Sequence, residues 1–174
     1  MLVHNYGLFW KVENVFWGKP RNEGNLWGIL TSEKKSEKVD FREQSGIYAL
    51  YADYELVYIG QAGGRERKLF DRLKDHQRDY LADRWNVFSW FGTRQVLETG
   101  KLKAEKAAAH TNAEIALNHL EAILIHVSEP VLNRQGGKWG SKVEQYLQQR
   151  DERLGLPIQE MIKEIWKTKE KRIQ

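Results

Sequence analysis

Gly46-Ile-Tyr48-Ala-Leu-Tyr51-Ala-Asp-Tyr-Glu55-Leu-Val-Tyr58-Ile-Gly60 is the stretch on which the reading of this chain turns. It contains two short β-rich runs, 46–51 and 55–60, with Ala52-Asp53-Tyr54 placed to close a hairpin between them. Tyr48 and Tyr58 are an even number of residues apart, so two phenol hydroxyls can share one surface. Tyrosines are common in strands and most only pack. The pair therefore gains meaning only from what surrounds it.

Downstream, Gly60 to Gly64 reads as a loop and residues 65–81 as a helix. Leu69, Leu73, His76 and Tyr80 fall on one helical face. Arg72 and His76 are i and i+4 neighbours, and a guanidinium at the edge of that stripe can hold a phosphate with two hydrogen bonds. Residues 85–91 read as a third strand and 93–109 as partly helical. Thr111 and Glu114 form a capping box for a helix over about 112–127, which Pro130 stops. Glu121 lies among Leu117, Leu124 and Ile125 on that helix. An ionised carboxylate stranded there costs several kcal/mol unless a divalent cation or a basic partner compensates it. Asn133 follows as a turn residue or a polar member of a site.

Upstream, 6–12 alternates as a strand and 26–30 offers a second. Trp10, Trp17 and Trp27 suggest a packed strand layer, while Thr31 to Lys38 reads as a solvated linker. Two more helices are expected over 141–153 and 157–171. Ile158, Met161, Ile162, Ile165 and Trp166 form an apolar stripe on the second. The division is then an N-terminal β-rich extension over 1–44, a core over 45–140 and a C-terminal helical extension over 141–174.

Composition narrows the chemistry. The 174 residues include no cysteine, which excludes disulfides, thiolate nucleophiles and sulfur-ligated metals. The net charge is +4, and basic and acidic residues nearly balance in every segment. A phosphate-binding surface must therefore be assembled by folding. Phosphate-loop, dinucleotide, serine-hydrolase and zinc-protease signatures are missing. The longest uninterrupted aliphatic run, Ala122 to Ile125, is far too short to span a membrane. Met1-Leu-Val-His-Asn-Tyr has neither a basic flank nor an apolar core, so the expected compartment is the cytoplasm.

In this order, the Gly-Ile-Tyr and Tyr-Ile-Gly tripeptides, helix arginine, helix glutamate and asparagine after a proline resemble the GIY-YIG nuclease family over about residues 45–135. The resemblance implies an α+β fold, a small three-stranded antiparallel sheet flanked by helices. It also implies metal-dependent hydrolysis of DNA phosphodiesters, in settings such as restriction or conflict with phage and mobile elements. By this likeness Tyr58 activates the attacking water, with Tyr48 as its partner. Arg72 holds the scissile phosphate. Glu121 is the sole protein ligand to Mg2+ or Mn2+, and Asn133 supports the arrangement. His76 matches a histidine of some branches.

Several branches carry lysine directly after Tyr-Ile-Gly, where this chain has Gln61. Arg65, Arg67, Lys68 or His76 can supply the missing polarisation and contact substrate. Tyr58 and His76 both stand as candidates for the base. The expected partner is DNA, whether single-stranded, duplex or branched, with RNA still open. A partner protein or a second copy of the chain is also compatible with the pattern, and no membrane is expected. The competing expectation is a catalytically silent or partner-dependent nucleic-acid-binding module on the same fold.

Overall fold

The computed structural model describes residues 2–31, 37–63, 67–104, 119, 120, 122, 123, 126–128, 143–155, 157, 158 and 160–163. Its centre is one mixed sheet of seven strands: β1 (Asn5–Lys11), β2 (Trp27–Leu30), β3 (Val39–Asp40), β4 (Gly46–Ala52), β5 (Glu55–Ala62), β6 (Val87–Gly92) and β7 (Glu144–Gln148). The spatial order is β3-β2-β7-β1-β6-β4-β5. The α+β class is as expected, but the sheet is larger than the three strands expected. β6, β4 and β5 pair antiparallel, and four further strands continue the sheet beyond β6. Among the described strands only β1 and β7 run parallel.

The β4–β5 hairpin forms where its turn chemistry directs. Ala52 pairs with Glu55, and the two residues between them, Asp53 and Tyr54, have φ of 47° and 74°. Positive φ at both central positions matches the right-handed twist of the flanking strands. Asp53 tolerates this geometry because Asn86 grips it twice, accepting from its N–H at 2.9 Å and donating to its carboxylate at 2.7 Å.

Alternation along the strands splits the core between the two faces of the sheet. One face carries Trp10, Phe41, Tyr48, Leu50, Phe88, Trp90 and Tyr146, against Leu69, Phe70 and Leu73 of helix α1 (Leu69–Asp75). The other carries Tyr6, Ala49, Tyr51, Val87 and Phe91, packed with Ile123 and Val127. The described positions between 119 and 128 are helical. The capping box at Thr111 and Glu114 lies outside the described residues.

Four local expectations are corrected. Within the segment expected as a helix over 141–153, Glu144–Gln148 is strand β7, slotted between β1 and β2. There Tyr146 is buried and its carbonyl accepts from the Trp10 indole at 3.3 Å, so sheet pairing overrides a helix-compatible composition. Helix α1 ends at Asp75 rather than running to residue 81, which leaves Tyr80 71% exposed and off the apolar face. Residues 93–104 are not helical. A Val96–Leu102 bridge closes a turn with Gly100 at φ 71°, and the Arg94 guanidinium donates to the carbonyls of Glu43 and Lys103 at 2.5 and 2.8 Å. The last helix is present at 158 and 160–163, but Ile158, Met161 and Ile162 of its stripe are exposed. Ile165 and Trp166 fall outside the described residues. No helix among the described residues is long and apolar enough to cross a membrane.

Candidate functional site

Tyr48 pairs with Gly60 across the hairpin and Leu50 with Tyr58. Tyr48 and Tyr58 are thus diagonal neighbours on one face, with ring centroids 6.2 Å apart. Both tripeptide glycines are required by close approach. A Cβ on Gly46, whose φ is +146°, would stand 2.0 Å from the Phe91 carbonyl oxygen. A Cβ on Gly60 would stand 2.3 Å from the Tyr48 hydroxyl. The second tripeptide therefore opens the space that the tyrosine of the first one fills.

Helix α1 lies over this face and brings two more polar side chains. His76 caps its C-terminus, with its N–H bonded to the Arg72 carbonyl. Its buried ring lies 5.0 Å from that of Tyr58, edge-on. The His76 Nε2 is 2.7 Å from the Tyr48 hydroxyl, and the Nδ1 is 2.7 Å from Asp79 Oδ2. Arg72 lies one turn back; its guanidinium interacts with the Tyr48 hydroxyl, while its buried Nε has no hydrogen-bond partner among the described residues. A buried donor left unmade costs about 1–3 kcal/mol.

The electrostatics follow from burial. Tyr48 has no exposed surface, and burial pushes its hydroxyl up to about 12, against a smaller downward pull from the Arg72 guanidinium. It keeps its proton at neutral pH. For Asp79, burial works upward, but the Leu81 N–H and the His76 ring outweigh it and hold the carboxyl below its ordinary value. Burial opposes the Arg72 charge, while Tyr48, Tyr58 and Asp75 raise its pKa. The guanidinium stays charged.

The other expected residues fare differently. The Arg67 guanidinium pairs with Asp75, and Lys68 Nζ is 3.3 Å from Ser45 Oγ. Arg65, Glu121 and Asn133 lie outside the described residues. The described neighbours Ala122 and Ile123 are buried, and Ile123 packs on the face that carries Ala49 and Tyr51, opposite to Tyr48. No group of three or more His, Asp or Glu gathers to hold a metal among the described residues. A cavity of about 350 Å3 between Glu23, Arg42, Glu43, Asp71 and Lys74 mixes both signs of charge, and none of the four converging side chains lines it.

Sequence reasoning missed Asp79. Its only signal was a carboxylate three residues after His76, a spacing that the expected longer helix also allowed. Four of the described tryptophans serve packing: Trp10, Trp85 and Trp90 are buried, and Trp17 stacks on Phe70. Comparison with protein-family models, with curated proteins and with solved structures finds no significant match.

Proposed function

We propose that this chain is a GIY-YIG-type endonuclease that hydrolyses DNA phosphodiester bonds. The observation that carries the reading is the convergence of Tyr48, Tyr58, Arg72 and His76 on one sheet face, with a buried guanidinium nitrogen that has no partner among the described residues. A phosphate oxygen is the acceptor suited to that nitrogen, and a fixed positive charge there stabilises the negative charge that builds in the transition state. Tyr58 is the half-buried phenol of the pair and the one placed to meet water; Tyr48 is wholly enclosed behind it. A divalent cation, Mg2+ or Mn2+ held by Glu121, would supply charge neutralisation at the leaving oxygen.

The test is incubation of supercoiled plasmid, linear duplex and single-stranded DNA with the protein and either metal ion. Cleavage by the wild type is expected to fall about 10²- to 10³-fold in Arg72→Ala and to vanish in Glu121→Ala. Equal cleavage by the wild type and either variant overturns the assignment.

One observation favours a second reading, a silent nucleic-acid-binding module. Tyr48 has no exposed surface and a hydroxyl pushed up to about 12, so it is poorly suited to take a proton itself. Under that reading labelled DNA binds tightly, without dependence on metal, and no product forms.

A further inference from the structure

Asp79 is not among the residues that the family resemblance assigns, yet it completes a chain of hydrogen bonds through the centre of the site. His76 is held between two oxygens of different character. On one side is the Tyr48 hydroxyl, 2.7 Å from Nε2. On the other is the Asp79 carboxylate, 2.7 Å from Nδ1. An ionised carboxylate can only accept, so Nδ1 must carry a hydrogen. In the neutral ring Nε2 is then the acceptor, and the Tyr48 hydroxyl must donate to it.

Asp79 is itself fixed. Its second oxygen, Oδ1, accepts from the Leu81 N–H at 2.8 Å, and its own N–H donates to the Asp75 carbonyl at 3.1 Å. The backbone of His76 is secured as well, since its carbonyl accepts from the Trp85 indole at 3.3 Å. Among the described residues, Tyr48 from β4 and Asp79 from the turn after α1 bond the ring, the Tyr58 ring from β5 lies edge-on to it, and the Arg72 charge from α1 acts on Asp79.

We propose that Asp79 is a positioning residue that locks His76 with its hydrogen on Nδ1, so that Nε2 receives the Tyr48 proton and the Tyr48 oxygen presents its lone pairs to Tyr58 and Arg72. The direction of the whole chain is set from its far end. Without Asp79 the ring can carry its hydrogen on Nε2 and donate into the Tyr48 oxygen, which reverses the dipole that Tyr58 meets. The consequence for turnover rests on the nuclease reading; the state of the ring does not.

Nitrogen-15 spectra of the imidazole rings in the full chain separate the two. The His76 signals are assigned by their loss in His76→Gln. At about pH 8, where an ordinary imidazole is neutral, the wild type is expected to show a protonated Nδ1 and a bare Nε2. Asp79→Ala is expected to shift hydrogen to Nε2, and so is Asp79→Asn, since an amide has one accepting oxygen where the carboxylate offers two, and with that oxygen on the Leu81 N–H its NH2 donates to Nδ1. A wild-type ring with its hydrogen on Nε2, or a ring unchanged in Asp79→Ala, overturns the proposal. The wild-type spectrum alone decides it if Asp79→Ala fails to fold. In cleavage assays Asp79→Ala and Asp79→Asn should each lower kcat by at least about tenfold with KM little changed. A Nδ1-protonated ring in a protein that cuts no DNA removes the nuclease reading and leaves Asp79 in its role. A Nε2-protonated ring in an active enzyme does the reverse.

Discussion

Gly60 lies directly against the Tyr48 hydroxyl, so closely that a methyl group at Gly60 would stand 2.3 Å from that oxygen. Gly60→Ala is therefore expected to drive Tyr48 off His76 and to cost about 1–3 kcal/mol through overpacking. On the proposed nuclease reading, cleavage should fall at least about tenfold, since general acid–base contributions are of that size or larger. Denaturant titration and a plasmid assay read the two effects. A variant as stable and as active as the wild type would show that the contact is not rigid.

Arg72→Lys keeps a positive charge but loses the planar fork of donors. The Arg72 Nε has no partner among the described residues, but the guanidinium also bonds the Tyr48 hydroxyl, so the change should cost about 0.5–1.5 kcal/mol of stability. Activity should drop about a hundredfold. Full activity in Arg72→Lys would mean that only a point charge is needed.

Alkaline stability should carry the signature of Tyr48. Burial raises its hydroxyl from an ordinary value of 10.0 to about 12. The folded state therefore keeps a proton that the unfolded chain gives up. This contribution is complete below pH 10.0 and is lost as pH rises toward about 12. Urea midpoints measured across that window should decline, and Tyr48→Phe should flatten the decline although it lowers the neutral-pH midpoint. An identical slope in Tyr48→Phe would assign the effect to other groups.

The acid side should depend on Asp151. Arg153 grips this buried carboxylate at 2.6 Å, and the Trp27 indole donates to it at 3.1 Å. Hydrogen bonding from Arg153, more than any other cause, holds its pKa below the ordinary 3.8. Its stabilisation is present above that value and disappears as pH falls through the lower folded one. Asp151→Asn is expected to cost about 2 kcal/mol at neutral pH, below the full cost of a broken buried pair because Arg153 is partly exposed. It should also make the acid limb shallower. No neutral-pH loss would show that the ion pair contributes nothing net.

The β4–β5 hairpin and β6 were legible because each is a compact β-rich run bounded by turn residues, and pairing there is local. The larger sheet was not. β3 is only two residues long, and β7 looks helix-compatible until Tyr146 is seen against Phe41, ring centroids 4.7 Å apart. The buried polar knot at the start of β4 was equally hidden. Gln44 donates to Asn5 at 2.8 Å and accepts from the Arg94 N–H at 2.9 Å, joining three segments far apart in sequence. In the site, the tripeptides gave the two phenols and the helical spacing gave Arg72 and His76. Asp79 escaped because its partnership depends on α1 stopping at Asp75, and a helical pattern continues past that point.

β1 and β7 lie side by side and parallel near the middle of the sheet, although more than a hundred residues separate them along the chain. During synthesis, β1 therefore emerges with one long edge unclaimed until β7 follows it from the ribosome. β2 and β3 have no route into the sheet except through that late arrival. Such pairing between distant segments slows folding and leaves a sticky edge in the interim. Expression hosts that translate slowly, or that lack holdase chaperones, should yield more of this protein as aggregate than its folded stability alone would suggest.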